Sequence, residues 1–561
     1  MSWTCKGLPN DPHEPHENFG ATCDQCGRSQ TEVQGKTSKK PGGSGGGMPM
    51  WQKAGGALAA IGLLGGGAYA LLNNGNQPPL PEPTVTSPGG SPGAQGSSPS
   101  PLTPPPGAVQ LVSELPGTQN RDRISQGERI LFTNLTSRTK QEGQAAFLAK
   151  NWGEAQADYN QAANEDKNDP ESKIYHNNAR ARVAGNPITI AVVVPITPAP
   201  EMAQEILRGV AQYQDEYNRD PVNPQQMMEV TIVDSTNQAI TPTLAQDLVN
   251  AQSVLGVLGH GLDASSQQAI NAYAAGGLPV LSPLTTQVEP NNGEKSTLKM
   301  LPPPAPNVPS SGNTLSDKYL AGVGRSLANY VEVKASRSPV AVFYNSDSPY
   351  SKTLKEQFGK FLNQRGGSFL RLAVGSEDAV DVARPGFDAK VTVAAAKKQG
   401  AKVIFLAMSR DRLREAYDIV QANMVGPKLL LVGGDELYSP QTLLKGDKAI
   451  EGLVLAVPWN SAEGNNFAEQ SSELWKGRVS WRTSTAYDAA RGLMGALKQS
   501  PSRQEAVSKL SAGIELLGAA SRVDTFDRVP LVQAVKAKGG SSLADGRPSG
   551  SRYQFDPLPA N

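Results

Sequence analysis

From residue 188 onward, short apolar runs alternate with longer stretches in which apolar positions recur every three or four residues. Residues 190–196 form a β-rich run, 202–217 carry helical spacing, and 228–233 return to a strand. Thr241-Pro242 opens a helix reaching 252, because proline is preorganised for a first helical turn. Apolar 254–258 then ends at Gly259-His260-Gly261. Helix-period positions begin near Asp263 and reach Tyr273, and a second apolar run, 278–281, ends in hydroxyls at Ser282, Thr285 and Thr286. Past a proline-rich break at 302–311 the order restarts, with predicted helices over 318–330, 351–364, 387–399 and 410–422 and strands over 340–344, 368–374, 403–408 and 429–432. Parallel sheets covered on both faces satisfy such alternation, so the pattern predicts two doubly wound α/β lobes.

The loops after 259 and 281 fall at carboxyl ends of strands, the edge where open α/β sheets hold ligands. The helix starting near Asp263 offers free N–H groups and a positive dipole end, which suits a carboxylate guest. Asp263 itself has two readings: a helix N-cap, or an inward charge that repels such a guest. His260 reads as a packed histidine at a polar edge, since no motif supplies it with a Cys or Ser nucleophile. Gly433-Gly434 lacks the Lys-Ser/Thr that a phosphate loop requires.

Upstream the pattern changes. Gly143, Ala146, Phe147, Trp152, Ala155, Tyr159, Ala162 and Ala163, followed by Asp169-Pro170 and Tyr175 to Ala179, predict a helical pair within 118–186. It resembles a single tetratricopeptide repeat, and a plain connecting hairpin is the other reading. One repeat cannot bury both faces, so it is expected to pack on its neighbours or on a protein partner.

Residues 54–72 carry no charge and are long enough to cross a hydrocarbon core as a transmembrane helix, although six glycines also fit a flexible linker. Lys36, Lys39, Lys40 and Lys53 precede this segment, and the first basic residue after it is Arg121. The bias predicts a cytoplasmic N-terminus, a single pass through the cytoplasmic membrane, and a large extracytoplasmic domain. Residues 36–53 form a Lys/Gly/Ser-rich linker, and 73–117, rich in Pro, Gly and Ser, a disordered spacer. All three cysteines lie in the first 26 residues. Cys23-Asp-Gln-Cys26, with Cys5 and either His13 or His16, offers a zinc-ribbon-like Zn2+ set over 1–35; a metal-free thiol tail is the alternative. A net charge of +1, with 19% charged residues in 561, argues against nucleic acid as a partner.

The motifs in 188–557 together resemble the type 1 periplasmic solute-binding proteins, in the leucine/isoleucine/valine-binding branch. They are Ile190-Ala-Val-Val-Val-Pro195, Gly259-His-Gly with Ser265-Ser266, Leu281-Ser-Pro-x-Thr-Thr286, Ser316-Asp-Lys-Tyr-Leu-Ala-Gly322, Val340 to Tyr350, Gly433-Gly-Asp-Glu-Leu-Tyr438, Glu451-Gly-Leu453 and Tyr487-Asp-Ala-Ala490. The resemblance implies an α/β fold of two periplasmic-binding-protein lobes, about 188–316 with 453–524 and 317–452 with 525–557. It also implies a non-enzymatic, membrane-anchored receptor that closes around an amino-acid-like ligand and delivers it to an ABC permease. By position, a ligand carboxylate would meet Asp263, Ala264 and Ser265, and an ammonium Leu284 and Thr286. The closing lobe would add Asp317, Tyr350 and Asp435. Tyr350 as a surface loop residue and Asp435 as a turn stabiliser remain open. The first loop, Thr197-Pro-Ala-Pro200, has no aromatic wall, so the implied guest departs from a branched-chain amino acid. A helical repeat beside this fold also resembles outer-membrane activators of cell-wall synthases, which implies a structural, regulatory or sensory alternative.

Overall fold

A computed structural model describes residues 3–8, 11–18, 110–197, 199–235, 240–260, 264–283, 288–290, 295–298, 315–336, 338–372, 378–461, 466–517, 520, 529–537 and 551–559. The chain divides into two units, Met1–Pro99 and Ser100–Asn561. In the first, β1 (Trp3–Leu8) and β2 (Asp11–Asn18) form an antiparallel hairpin that sets Cys5 across from His16. The proposed ligands Cys23 and Cys26 and the proposed span 54–72 lie outside the described residues. Among the described residues no helix is long and apolar enough to cross a membrane, and no group of three metal-ligating side chains occurs.

The second unit begins earlier than the expected end of the spacer at 117. Leu111 and Val112 are buried, because Val112 N–H donates 2.8 Å to the Gln126 side chain and its isopropyl group joins a hydrophobic cluster with Ile124 and Val193. Next come β3 (Ile124–Ser125) and three helices where a pair was expected: α1 (Arg138–Leu148), α2 (Trp152–Glu165) and α3 (Pro170–Ala184). Ser137 caps α1 by accepting the Lys140 N–H, and Asp169 caps α3 ahead of a proline at its first position. This arm packs on its neighbour in the same chain. The Asn178 side chain on α3 donates 2.7 Å to Val230 O and accepts 2.8 Å from Val230 N, as a strand neighbour would.

The first lobe contains β4 (Ile188–Val194), α4 (Pro200–Arg219), β5 (Met228–Asp234), α5 (Thr241–Asn250), β6 (Val254–Gly259), α6 (Ala264–Ala275) and β7 (Val280–Leu281). Its sheet runs β3-β5-β4-β6-β7, parallel except for the edge strand β3. All seven residues of β4 are buried, as a strand covered on both faces requires. Short strands β8 (Val288–Pro290) and β9 (Lys295–Leu298) lead out of this lobe.

The second lobe holds α7 (Leu315–Ala335), β10 (Val340–Tyr344), α8 (Pro349–Gln364), β11 (Val380–Asp381), α9 (Ala389–Lys398), β12 (Val403–Ala407), α10 (Leu413–Ala422), β13 (Leu430–Gly433), α11 (Pro440–Gly446) and β14 (Val454–Ala456). Among the described residues of the strand expected over 368–374, the pairing is a bridge from Phe369 to Val340. The chain then returns to the first lobe with α12 (Asn466–Leu474), α13 (Trp481–Leu497), α14 (Arg503–Ala512) and β15 (Ile514–Leu517), which pairs with β9. Finally β16 (Leu531–Lys536) and β17 (Tyr553–Pro557) complete the second sheet, in the order β11-β10-β12-β13-β14-β16-β17. Because β14 pairs with β13 and β16, the crossing expected at 453 falls after Ala456.

Candidate functional site

The strand order reverses direction between β4 and β6 in the first lobe and between β10 and β12 in the second. These are the switch points at whose carboxyl ends open α/β sheets hold ligands. In the second lobe the two strand ends are tied together. Asn345 donates 2.9 Å to Ser409 Oγ and accepts 3.0 Å from Ser409 N, while Ser351 Oγ donates 2.5 Å to Ala407 O. Tyr350 and Arg410 stand beside these ties, so the turns carrying them are fixed by buried hydrogen bonds.

Tyr350 occupies the first turn of α8, behind the Ser348 cap, and its hydroxyl donates 2.8 Å to Asp435 Oδ1. Both residues are buried. Asp435 follows β13 in the turn after Gly433-Gly434. A Cβ on Gly434 would lie 2.3 Å from the Tyr350 hydroxyl, so only glycine leaves room for this pair. Burial, reinforced by the neighbouring Glu436 charge, pushes the Asp435 carboxyl up to about 6, against the opposing Tyr350 hydrogen bond and Arg482 charge. Burial, with the Asp435 charge second, holds the phenols of Tyr350 and Tyr319 well above the ordinary tyrosine value. Tyr319 lies close enough to feel that carboxylate, yet its hydroxyl makes no aligned hydrogen bond.

On the first lobe, β6 ends in Gly259 at φ 143° and His260 at φ 68°. A Cβ on Gly259 would come within 2.3 Å of Val193 O. The His260 ring lies 3.0 Å from the Tyr273 hydroxyl, and Ser282 Oγ donates 2.6 Å to His260 O. The loop after β6 is therefore pinned to the end of β7, and His260 is a packed residue. Ala264 and Ser265 are the first two positions of α6, and Asp317 is the third of α7. Asp263, Leu284 and Thr286 lie outside the described residues. Of the eight candidates, Tyr350 and Asp435 are thus brought into contact with each other.

The lobes meet through side chains that motif reading did not single out. Arg482, in the first turn of α13, donates 3.1 Å to Glu205 on α4 and 2.9 Å across the gap to Tyr438 O, at the end of the Asp435 turn. Gln441 donates 2.8 Å to Glu201, and Arg410 reaches 2.8 Å to the Met202 sulfur. The available signal was on α4: Met202 and Glu205, three positions apart, share a helix face with buried apolar residues. These contacts place the Asp435 turn on the face of the second lobe that looks toward the first.

A search of curated protein sequences finds no match. Among solved structures the chain is similar to a leucine-binding protein of Thermotoga maritima (17% identity, 66% of this chain and 97% of that one, TM-score 0.47). It is also similar to a branched-chain amino acid transporter substrate-binding protein of Streptococcus pneumoniae in complex with isoleucine (16%, 66% and 99%, TM-score 0.49). A third is an ABC-transporter solute-binding protein of Rhodopseudomonas palustris in complex with p-hydroxybenzoic acid (14%, 66% and 96%, TM-score 0.48). The family model described as "Periplasmic binding protein" matches residues 187–552. With two doubly wound lobes facing each other across their switch points, the chain belongs to the periplasmic binding protein family, whose members are non-enzymatic solute receptors.

Proposed function

We propose that this protein is a membrane-anchored, extracytoplasmic receptor for an amino acid or related small solute, which it delivers to an ABC transporter. The observation that carries the reading is the buried Tyr350–Asp435 pair, at a strand end facing the opposite lobe. A desolvated carboxylate positioned by a phenol suits a ligand ammonium, and Ala264 and Ser265 at the start of α6 suit the matching carboxylate. Asp263, Asp317, Leu284 and Thr286 complete the proposed set. Calorimetric titration of the full-length protein with the common L-amino acids tests this. Saturable binding accompanied by a smaller radius of gyration is expected; no heat with any of them counts against a transport receptor.

A second reading, a scaffold that contacts a protein partner such as a cell-wall synthase, is favoured by the direct ties between the lobes through Arg482, Gln441 and Arg410. Capture of such an enzyme through the α1–α3 arm, with no small-molecule binding, would support it. At the N-terminus, Cys5 opposite His16 suits two ligands of a zinc site that Cys23 and Cys26 would complete. Metal analysis of the purified protein and of Cys5→Ser tests that site: about one zinc per chain is expected in the first and much less in the second.

A further inference from the structure

Arg410 begins the 3-10 turn after β12, at the switch point of the second lobe and beside the Asn345–Ser409 tie. A guanidinium carries five N–H donors. Among the described residues its one hydrogen bond goes to the thioether of Met202, a weak acceptor, and no carboxylate forms an ion pair with it. Two of the nearby acids are engaged elsewhere: Glu205 through one oxygen with Arg482 at 3.1 Å, and Glu201 accepts from Gln441 at 2.8 Å. Burial, with the like charge of Arg482 next, depresses the Arg410 pKa despite Glu436, Glu205 and Glu201, so the surrounding acids leave its charge undercompensated.

Unanswered donors dominate the neighbouring interior. Arg482 Nε, Trp481 Nε1 and Trp459 Nε1 are buried without a protein acceptor; on the facing helix Arg208 Nε is a further such donor, and Glu205 Oε1 and Gln214 Oε1 are unanswered acceptors. Arg482 itself is 1% exposed and lies over the Trp481 ring. Arg410 is half-buried with a thioether as its acceptor, and a cation so placed at a switch point can receive an anion from a ligand.

We infer that Arg410 is a specificity-determining residue, and that the solute held between the lobes carries a second anionic group, as an acidic amino acid or a small dicarboxylate does. The inference rests on the receptor reading and names its substrate class. The planar fork of Arg410 would receive the distal carboxylate, while Asp435 and Tyr350 receive the ammonium. The absence of an aromatic wall in the first loop fits a polar guest, and Met202 gives up its contact when the anion arrives.

The experiment is calorimetric titration of the full-length protein and of Arg410→Gln and Arg410→Lys with L-glutamate, L-aspartate, succinate, L-glutamine and L-leucine, each variant first checked for an unchanged melting temperature. At least one acid is expected to bind more than tenfold tighter than glutamine. Arg410→Gln should erase that preference by weakening the acids at least tenfold more than glutamine, and Arg410→Lys should retain part of it. Tighter binding of leucine or glutamine than of every acid, or an acid preference unchanged in Arg410→Gln, overturns the inference and leaves the receptor reading standing. Failure of every amino acid and acid to bind overturns both.

Discussion

The Arg182 guanidinium on α3 lies against the buried Glu229 carboxylate on β5, with Nη2 3.0 Å from Oε2. Glu229 also accepts from Thr189 at 2.8 Å and Gln126 at 2.7 Å, so one carboxylate joins the arm, the edge segment and the first sheet. A buried, fully hydrogen-bonded charge pair is strongly destabilised when one partner is removed and much less when both are. Arg182→Met should therefore cost about 3–5 kcal/mol. The double variant Arg182→Met/Glu229→Leu should recover most of that loss, and equilibrium urea unfolding checks both.

Asp435 makes stability and binding respond to pH in opposite directions. Below about pH 4 its carboxyl is protonated in both folded and unfolded chains and contributes nothing. Between there and its folded value of about 6, the folded chain holds more protons, so stability falls as pH rises, then levels off. Raising the carboxyl from its ordinary value to about 6 corresponds to about 3 kcal/mol. Asp435→Asn should accordingly melt at higher temperature than the parent at pH 7.5 and at nearly the same temperature at pH 4. If Asp435 receives the ligand ammonium, affinity follows its ionised form: it should weaken from pH 7.5 to pH 5 in the parent and vanish in Asp435→Asn.

Gly434→Ala separates the site from the fold. Its new methyl would overlap the Tyr350 hydroxyl, the far end of a side chain that can swing away, and would also approach Leu354 Cδ2 at 2.7 Å. Overpacking of this kind costs roughly 1–3 kcal/mol. The variant is expected to fold, with a modest drop in melting temperature, yet to lose the Tyr350–Asp435 hydrogen bond and any amino-acid heat signal.

What the chain made legible follows from period. Strands covered on both faces, such as 190–194, are continuous apolar runs, and doubly wound lobes follow from their alternation with helices. Two positions of the candidate site, Tyr350 and Asp435, came from the family resemblance and not from period; Tyr350 opens the helix after β10 and Asp435 lies in the turn after β13. Glu205, Arg410 and Arg482 were hidden, since a charged residue on a helix or in a 3-10 turn ordinarily faces water. Only tertiary packing turns these three inward. The edge strand Ile124–Ser125 and the buried Leu111 and Val112 were hidden for a related reason: two-residue segments have no period, and burial there depends on sheet neighbours more than a hundred residues away.

Arg482 is the residue through which the two lobes are expected to report on each other. It is 1% exposed and stabilises the Glu205 carboxylate on its own lobe while holding Tyr438 O on the other. Arg482→Met would leave Glu205 buried with neither oxygen answered, since Oε1 has no partner even in the parent. A loss of about 3–5 kcal/mol follows if Glu205 stays inside. If the lobes instead part to hydrate it, the loss is smaller and the radius of gyration rises. Small-angle scattering of Arg482→Met beside Arg482→Met/Glu205→Leu distinguishes the two. A compact double variant and an expanded single variant would identify the buried charge, rather than the lost contact with Tyr438, as what drives opening.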